Sequence, residues 1–321
     1  MKYEDQTDAV TQAACRWLLS GGEPGAYYGP EPVIGHDLAP LLAKEFGRNS
    51  ISLLSNAIWF RQEQIIRTVL KRLSAEGFEV WALKGFDLAR SVYPFPGGRP
   101  MCDADLFIEE NNRQRILSIF HQAGWSRVSP GDGIFTSGIV SEMKLFKQDI
   151  LAELHTHIFY FPATFPGRLP ADLFLNGRSL EPGLMGFAWH NALLLVLLHM
   201  LTNTVLRPVW WVDVCLLCQK VTEENSWSKF SRNAQATKLG SSIADVLKAA
   251  RFLFGAPVPQ AVTDLPGKSI SSGEQILKML TSPRKAPTLL NLRYLTGWKR
   301  VSWFVALFWL LITGKHPLRR A

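Results

Sequence analysis

The sequence predicts an α+β protein, in which one mixed unit of strands and helices is flanked on both sides by helical regions. Three observations predict it. Apolar spacing is helical through residue 77, breaks into short β-rich runs between Phe78 and Phe159, and becomes helical again after Phe174. The strand-like runs alternate with helical ones, so strands and helices mix around one sheet. At 321 residues, 47% hydrophobic and 19% charged, the chain is long enough for one large or two modest domains with a sizeable core.

The elements follow in order. Asp5–Leu19 is amphipathic and stops at the Gly/Pro breaker "SGGEPG". A second helix is expected over 36–46, and a long third one ends at Gly77. "FEVWALKG" reads as a short strand, "FDLARSVY" as a helix and "PFPGGRP" as a loop. "MCDADLFI" is a strand, "NNRQRILSIFHQAG" a helix and "WSRVS" a further short strand. "EMKLFKQ" and "DILAELHTHIF" read as a strand pair. "MGFAWHNALLLVLLHMLTNT" is apolar but carries His190, Asn191 and His199, which favours a buried core helix over a membrane span. Three more helices follow. The expected division is a helical region at 1–77, an α+β core at 78–165, a helical region packed on it at 166–274, and a basic, aromatic tail at 275–321.

Charge is uneven. The chain carries 35 Lys+Arg against 27 Asp+Glu, a formal net charge of +8. The stretch 275–321 holds nine of those cations and no acid, so the remainder is close to neutral. A basic tail gives no reason to expect specific nucleic-acid binding by the body. Four cysteines and a polar start, "MKYEDQTDAV", suit a reducing cytoplasm.

The candidate chemistry begins with Asp103 and Asp105. Residues i and i+2 share a strand face, so the two carboxylates point the same way while Ala104 and Leu106 face the core. Neighbouring buried carboxylates repel unless a cation lies between them. This geometry suits one or two divalent cations, magnesium or manganese, shared with phosphate. Glu153, mid-strand between Ala152 and Leu154, offers a third carboxylate. Gly85 ends a strand where a helix begins, which suits close approach of phosphate. Lys84 adds a point charge there, and Arg99 a fork for phosphate oxygens. His155 is expected to orient Glu153 from behind.

"LKGFDLARSVYPFPGGRPMCDADLFI", followed by a helix ending in "HQAGW" and by the strand motif Glu153-Leu154-His155, resembles the nucleotidyltransferases of the DNA polymerase beta superfamily. It is most similar to a bacterial group known only as nucleotidyltransferase family proteins. His199, Arg207, Trp211 and Asp213 in "LLHMLTNTVLRPVWWVDVCLL" are similar to a further feature of that group. The likeness covers roughly residues 50 to 220. It implies a polymerase-beta-like mixed sheet with flanking helices, and transfer of a nucleotidyl group from a nucleoside triphosphate to an acceptor it does not identify. It implies Asp103, Asp105 and Glu153 as metal ligands, with Glu153 the candidate general base. Lys84 and Gly85 then lie at the nucleotide phosphates, and Asp213 supports the site. Two departures stand out: Lys84-Gly85-Phe86 replaces the usual Gly-Ser, and the interval from Gly85 to Asp103 is long.

Rival readings remain at this level. The pair His155 and His157 resembles the opening motif of PHP-type phosphoesterases, but the later histidines and acids that such a site needs are missing. Cys215 and Cys218 lack the partners of a zinc site and suit small core positions. Cys102 points away from Asp103's face. A nucleotide-binding or regulatory role on the same fold also stands. In the tail, Val301–Gly314 is 14 residues without charge, about 21 Å as a helix. That is short of a membrane span. Its flanking cations and Trp298, Trp303 and Trp309 suit either an anionic membrane surface or docking on the body.

Overall fold

The computed structural model describes residues 3–23, 25–29, 31–32, 37–127, 142–158, 173–174, 176–202 and 207–266. The expectations for the basic tail lie outside these residues.

Seven strands form one mixed sheet: β1 (Val80–Ala82), β2 (Asp103–Phe107), β3 (Ser126–Arg127), β4 (Glu142–Lys147), β5 (Ile150–His155), β6 (Arg178–Glu181) and β7 (Leu184–Gly186). Their order is β3-β4-β5-β2-β1-β7-β6. The β2/β5 and β1/β7 pairs are parallel, and the other neighbours antiparallel. This is the α+β class with a mixed sheet and flanking helices that the sequence predicts.

One boundary needs correction. The hairpin β6–β7 lies inside the stretch 166–274, expected to be helical, yet it completes the sheet against β1. Its turn has Gly183 at φ +78, where a Cβ would also meet Ser74 at 2.5 Å. The Gly183 carbonyl accepts a hydrogen bond from the Val80 amide at 2.9 Å, tying the hairpin to β1.

Each face of the sheet has its own core. Ala104, Leu106, Leu145, Ala152 and Leu154 are almost fully buried. They pack with Ile66, Val69, Leu70 and Leu73 of α3 (Asn49–Ala75) and with Ile116 and Phe120 of α5 (Arg113–Gln122). At about 1.5–3 kcal/mol per large aliphatic side chain, such burial holds the sheet on its helices. Trp81, Leu83 and Phe107 face the other way, into a larger core. That core is built by α1 (Tyr3–Leu19), α6 (Trp189–Thr202), α7 (Pro208–Glu223), α8 (Trp227–Ala236) and α9 (Gly240–Phe254). Between β1 and β2 stands α4 (Lys84–Ser91), and α2 (Ala39–Leu42) precedes α3.

The apolar helix α6 is a core element: Leu193, Leu194, Leu197 and Leu198 are fully buried. No helix among the described residues is long and apolar enough to cross a membrane. Cys15, Cys215 and Cys218 are buried free thiols, while Cys102 is exposed.

The β4–β5 turn holds Gln148 and Asp149 at φ 47 and 65, a tight two-residue hairpin geometry. Arg61 of α3 clamps it, donating to both Asp149 carboxylate oxygens at 2.9 and 2.7 Å and to the Gln148 carbonyl at 3.2 Å. This fixes the start of β5, the strand that carries Glu153.

Candidate active site

The register of three central strands collects the acidic groups. Asp105 of β2 lies beside Glu153 of β5, and Glu153 beside Lys144 of β4. One step along the same face, Phe107 is paired with His155, and His155 with Glu142. One step the other way, Asp103 is paired with Leu151. The period of two therefore puts Asp103, Asp105, Glu153, His155, Glu142 and Lys144 on one face. It is the face directed toward α6 and α7, since the alternate residues Ala104, Leu106, Ala152 and Leu154 pack on α3 and α5.

Asp105, Glu153 and His155 are all buried, and each brings one donor atom to within 4.8 Å of the others. His155 Nε2 lies 2.7 Å from Asp105 Oδ1 and 3.9 Å from Glu153 Oε2. The expected partner of His155 was Glu153; its hydrogen bond goes to Asp105. Lys84 donates to the same Asp105 oxygen at 2.9 Å. Lys144 donates to Glu153 Oε1 at 2.5 Å and lies 3.1 Å from Glu142 Oε1.

The charges respond to this crowding. Burial alone would raise the Asp105 pKa, but the Lys84 ammonium and the His155 bond reverse it and hold the carboxyl well below the usual range. Asp103 goes the opposite way. Burial, then the charges of Asp105 and Glu153, push it up to about 6. Glu153 is also raised, by burial first and then by Glu142 and Asp105, against the lowering pull of Lys144. Lys84 is raised: Asp105, Glu153 and Glu142 outweigh the lowering that burial would cause.

Two residues expected at the phosphates are engaged differently. Arg99 is buried and forms a two-pronged ion pair with Asp213 of α7, Nε to Oδ1 at 2.8 Å and Nη2 to Oδ2 at 2.6 Å. Two of its guanidinium nitrogens are thus committed within the protein, and the third, Nη1, lies over Gly85. Tyr93 Oη donates to Asp213 as well, at 2.8 Å. A Cβ on Gly85 would lie 2.1 Å from Arg99 Nη1. Glycine at this helix start therefore admits the guanidinium.

Other sequence-marked residues surround this centre. His199 of α6 is pulled down to about 3, by burial first and then by Lys84, with Arg99 and His155 adding to the effect. It is neutral at pH 7, and its ring meets Trp210 edge-on at 4.8 Å. Arg207 pairs with Asp37 through two hydrogen bonds of 2.9 and 2.7 Å. His157 lies beyond the end of β5 and outside the buried donor group. Sequence reasoning missed Lys144, Glu142 and Tyr93. The alternation of "EMKLFK" puts Glu142 and Lys144 on the face opposite Met143 and Leu145, but only the β4–β5 register shows that they meet His155 and Glu153 there.

The chain matches the family described as "Uncharacterised nucleotidyltransferase" over residues 58–255, more than half of its length. The chain belongs to this family of nucleotidyltransferases. The match takes in α4, all seven strands and α6 and α7, and so every residue of the candidate site. No curated protein matches the sequence. Among solved structures, the solution structure of antibiotic-resistance factor ANT(2'')-Ia aligns with 55% of this chain and 95% of its own, at 16% identity and a TM-score of 0.35.

Proposed function

We propose that this nucleotidyltransferase moves a nucleotidyl group from a nucleoside triphosphate to a hydroxyl or phosphate acceptor, at the face formed by Asp103, Asp105 and Glu153. The observation that carries the reading is the register: β2 and β5 bring Asp105 beside Glu153, with Asp103 on the same face. The donor set fits a divalent cation: Asp105 and Glu153 belong to the buried donor group with His155, and Asp103 lies outside that group on the same face. Asp103 has no hydrogen bond or ion pair among the described residues, and its pKa is raised by burial first and then by acidic neighbours whose repulsion a cation would relieve. Asp105 and Glu153 each have an oxygen outside the hydrogen bonds to Lys84, His155 and Lys144. Asp103, Asp105 and Glu153 would hold magnesium or manganese, which supplies activation of the attacking oxygen and charge stabilisation on the leaving pyrophosphate.

The remaining roles belong to the chain's own groups. Glu153, raised toward neutrality, takes the acceptor proton. Lys144 favours the ionised form of Glu153 and holds it in place through one oxygen. His155 orients Asp105. Lys84 supplies positive charge for the phosphates, and the buried Arg99–Asp213 pair fixes the loop that leads into β2. His157 lies outside the donor group, which disfavours a phosphoesterase reading.

The test is a screen of the four common triphosphates with Mg2+ or Mn2+, following pyrophosphate release across hydroxyl and phosphate acceptors. Pyrophosphate formed only when acceptor is present supports transfer. Tight nucleotide binding without pyrophosphate in any combination would replace transfer with a regulatory role. Once turnover is established, Lys144→Met should move the acidic limb of the kcat/KM–pH profile upward, because the group that lowers the Glu153 pKa is gone. An unmoved limb would remove Glu153 from the role of base.

A further inference from the structure

Lys84 is held in a way that a simple phosphate-binding lysine does not need. It is the first residue of α4 and sits at φ 45, in the left-handed region that non-glycine residues seldom occupy. From there its ammonium reaches back across the strand end to Asp105 Oδ1 at 2.9 Å. Its side chain is only 21% exposed and that of Asp105 only 9%. The same oxygen already accepts the His155 contact at 2.7 Å. Arg99 fills the space over the next residue, Gly85. Glu153 and Glu142 add their charge around the ammonium. A lysine waiting for phosphate would extend into solvent; this one is half-buried, on strained backbone, against a carboxylate of the proposed metal site.

We propose that Lys84 is the built-in counter-ion of the carboxylate cluster, and that it yields Asp105 only when a divalent cation arrives together with the triphosphate. The proposal rests on the metal site proposed above. The physical reason is like-charge repulsion at close range in a poorly solvated site. A cation entering alone meets an ammonium already bonded to Asp105, and a displaced Lys84 would give up that hydrogen bond with none to replace it. A triphosphate provides that partner. Cation and triphosphate therefore favour each other's binding through Lys84, and the coupling is reciprocal. Metal and nucleotide load as one species, and the empty enzyme keeps its carboxylates compensated.

The test measures Mn2+ binding alone, by electron paramagnetic resonance and calorimetry, on the full chain without nucleotide. Lys84→Met keeps the bulk and removes the charge. It is expected to bind Mn2+ about tenfold more tightly than the wild type. A residue that only grips phosphate would leave this affinity unchanged, and one that only supports the fold would lower it. Folding is checked by circular dichroism. Should Lys84→Met not fold, Lys84→Gly serves in its place, since glycine adopts positive φ freely. Asp105→Asn is measured in parallel. If it loses Mn2+ binding while the Lys84 variant binds no more tightly than wild type, the counter-ion role is wrong and the metal site stands. If Asp105→Asn binds Mn2+ as the wild type does, the metal site itself is wrong and the counter-ion role falls with it.

Discussion

Asp103→Asn is expected to lower kcat/KM by ~10³-fold or more and, in the metal-free protein, to raise stability at neutral pH. The two effects have one origin. Asp103 adds a further negative charge to the face of Asp105 and Glu153, and no hydrogen bond or ion pair of its own among the described residues offsets the burial. Burial and those two neighbours push it up to about 6, against about 3.9 for an unfolded chain. The folded state thus keeps a proton over a window in which the unfolded state has lost it. Stability contributed by that proton is present below about pH 4, declines as pH rises through 6, and stays lost above. Asparagine has the same shape and no charge to desolvate. The variant should therefore match the wild type near pH 4 and exceed it by roughly 1–3 kcal/mol at pH 7. Denaturant titrations in EDTA across this range measure the difference. A variant less stable than wild type at pH 7 would mean that Asp103 is not repelled in the free protein. Added Mg2+ should reverse the ranking, because only the wild type regains the full ligand set.

Much of this site was legible from residue spacing. The alternation in "MCDADLFI" places Asp103 and Asp105 on one face and Ala104 and Leu106 on the other, and the structure buries the latter two. Likewise "LAELHTH" places Glu153 and His155 together. What spacing does not carry is register between strands distant in sequence. That Asp105 stands beside Glu153, and Glu153 beside Lys144, depends on how β2, β4 and β5 slide against one another. The hairpin β6–β7 was missed for a related reason. Its strands are four and three residues long, too short to show a period, and only the Pro182-Gly183 turn signal marks it. Arg99 and Lys84 show a third limit. A basic residue in a loop beside acids reads equally as a ligand for phosphate or as a partner for a carboxylate. For Arg99 the choice depends on Asp213, which lies more than a hundred residues away in sequence, and for Lys84 on the side chain of Asp105 on the neighbouring strand.

That long-range pairing makes the second large prediction one about stability. Asp213→Ala should cost about 3–5 kcal/mol, enough to unfold a marginal protein, although Asp213 lies on a helix outside the sheet. Asp213 is 1% exposed and accepts three hydrogen bonds, two from Arg99 and one from Tyr93. Removing it leaves a guanidinium and a phenol buried without their acceptor. The desolvation cost already met in folding is then no longer offset. Arg99 cannot relax toward water easily, because it is itself buried and packed over Gly85. The apolar double variant Arg99→Met with Asp213→Leu removes both charges, and is expected to recover most of the loss. Chemical denaturation of the single and double variants gives the coupling directly. A different outcome would return Arg99 to the phosphates: Arg99→Met with unchanged stability and a raised KM for nucleotide. With the ion pair intact, the loop from Tyr93 to Cys102 is held at both ends, by Tyr93 and Arg99 on Asp213 and by β2 in the sheet. The double variant keeps the fold but loses the polar anchor, so its kcat should fall while its stability recovers, because Asp103 follows directly on that loop.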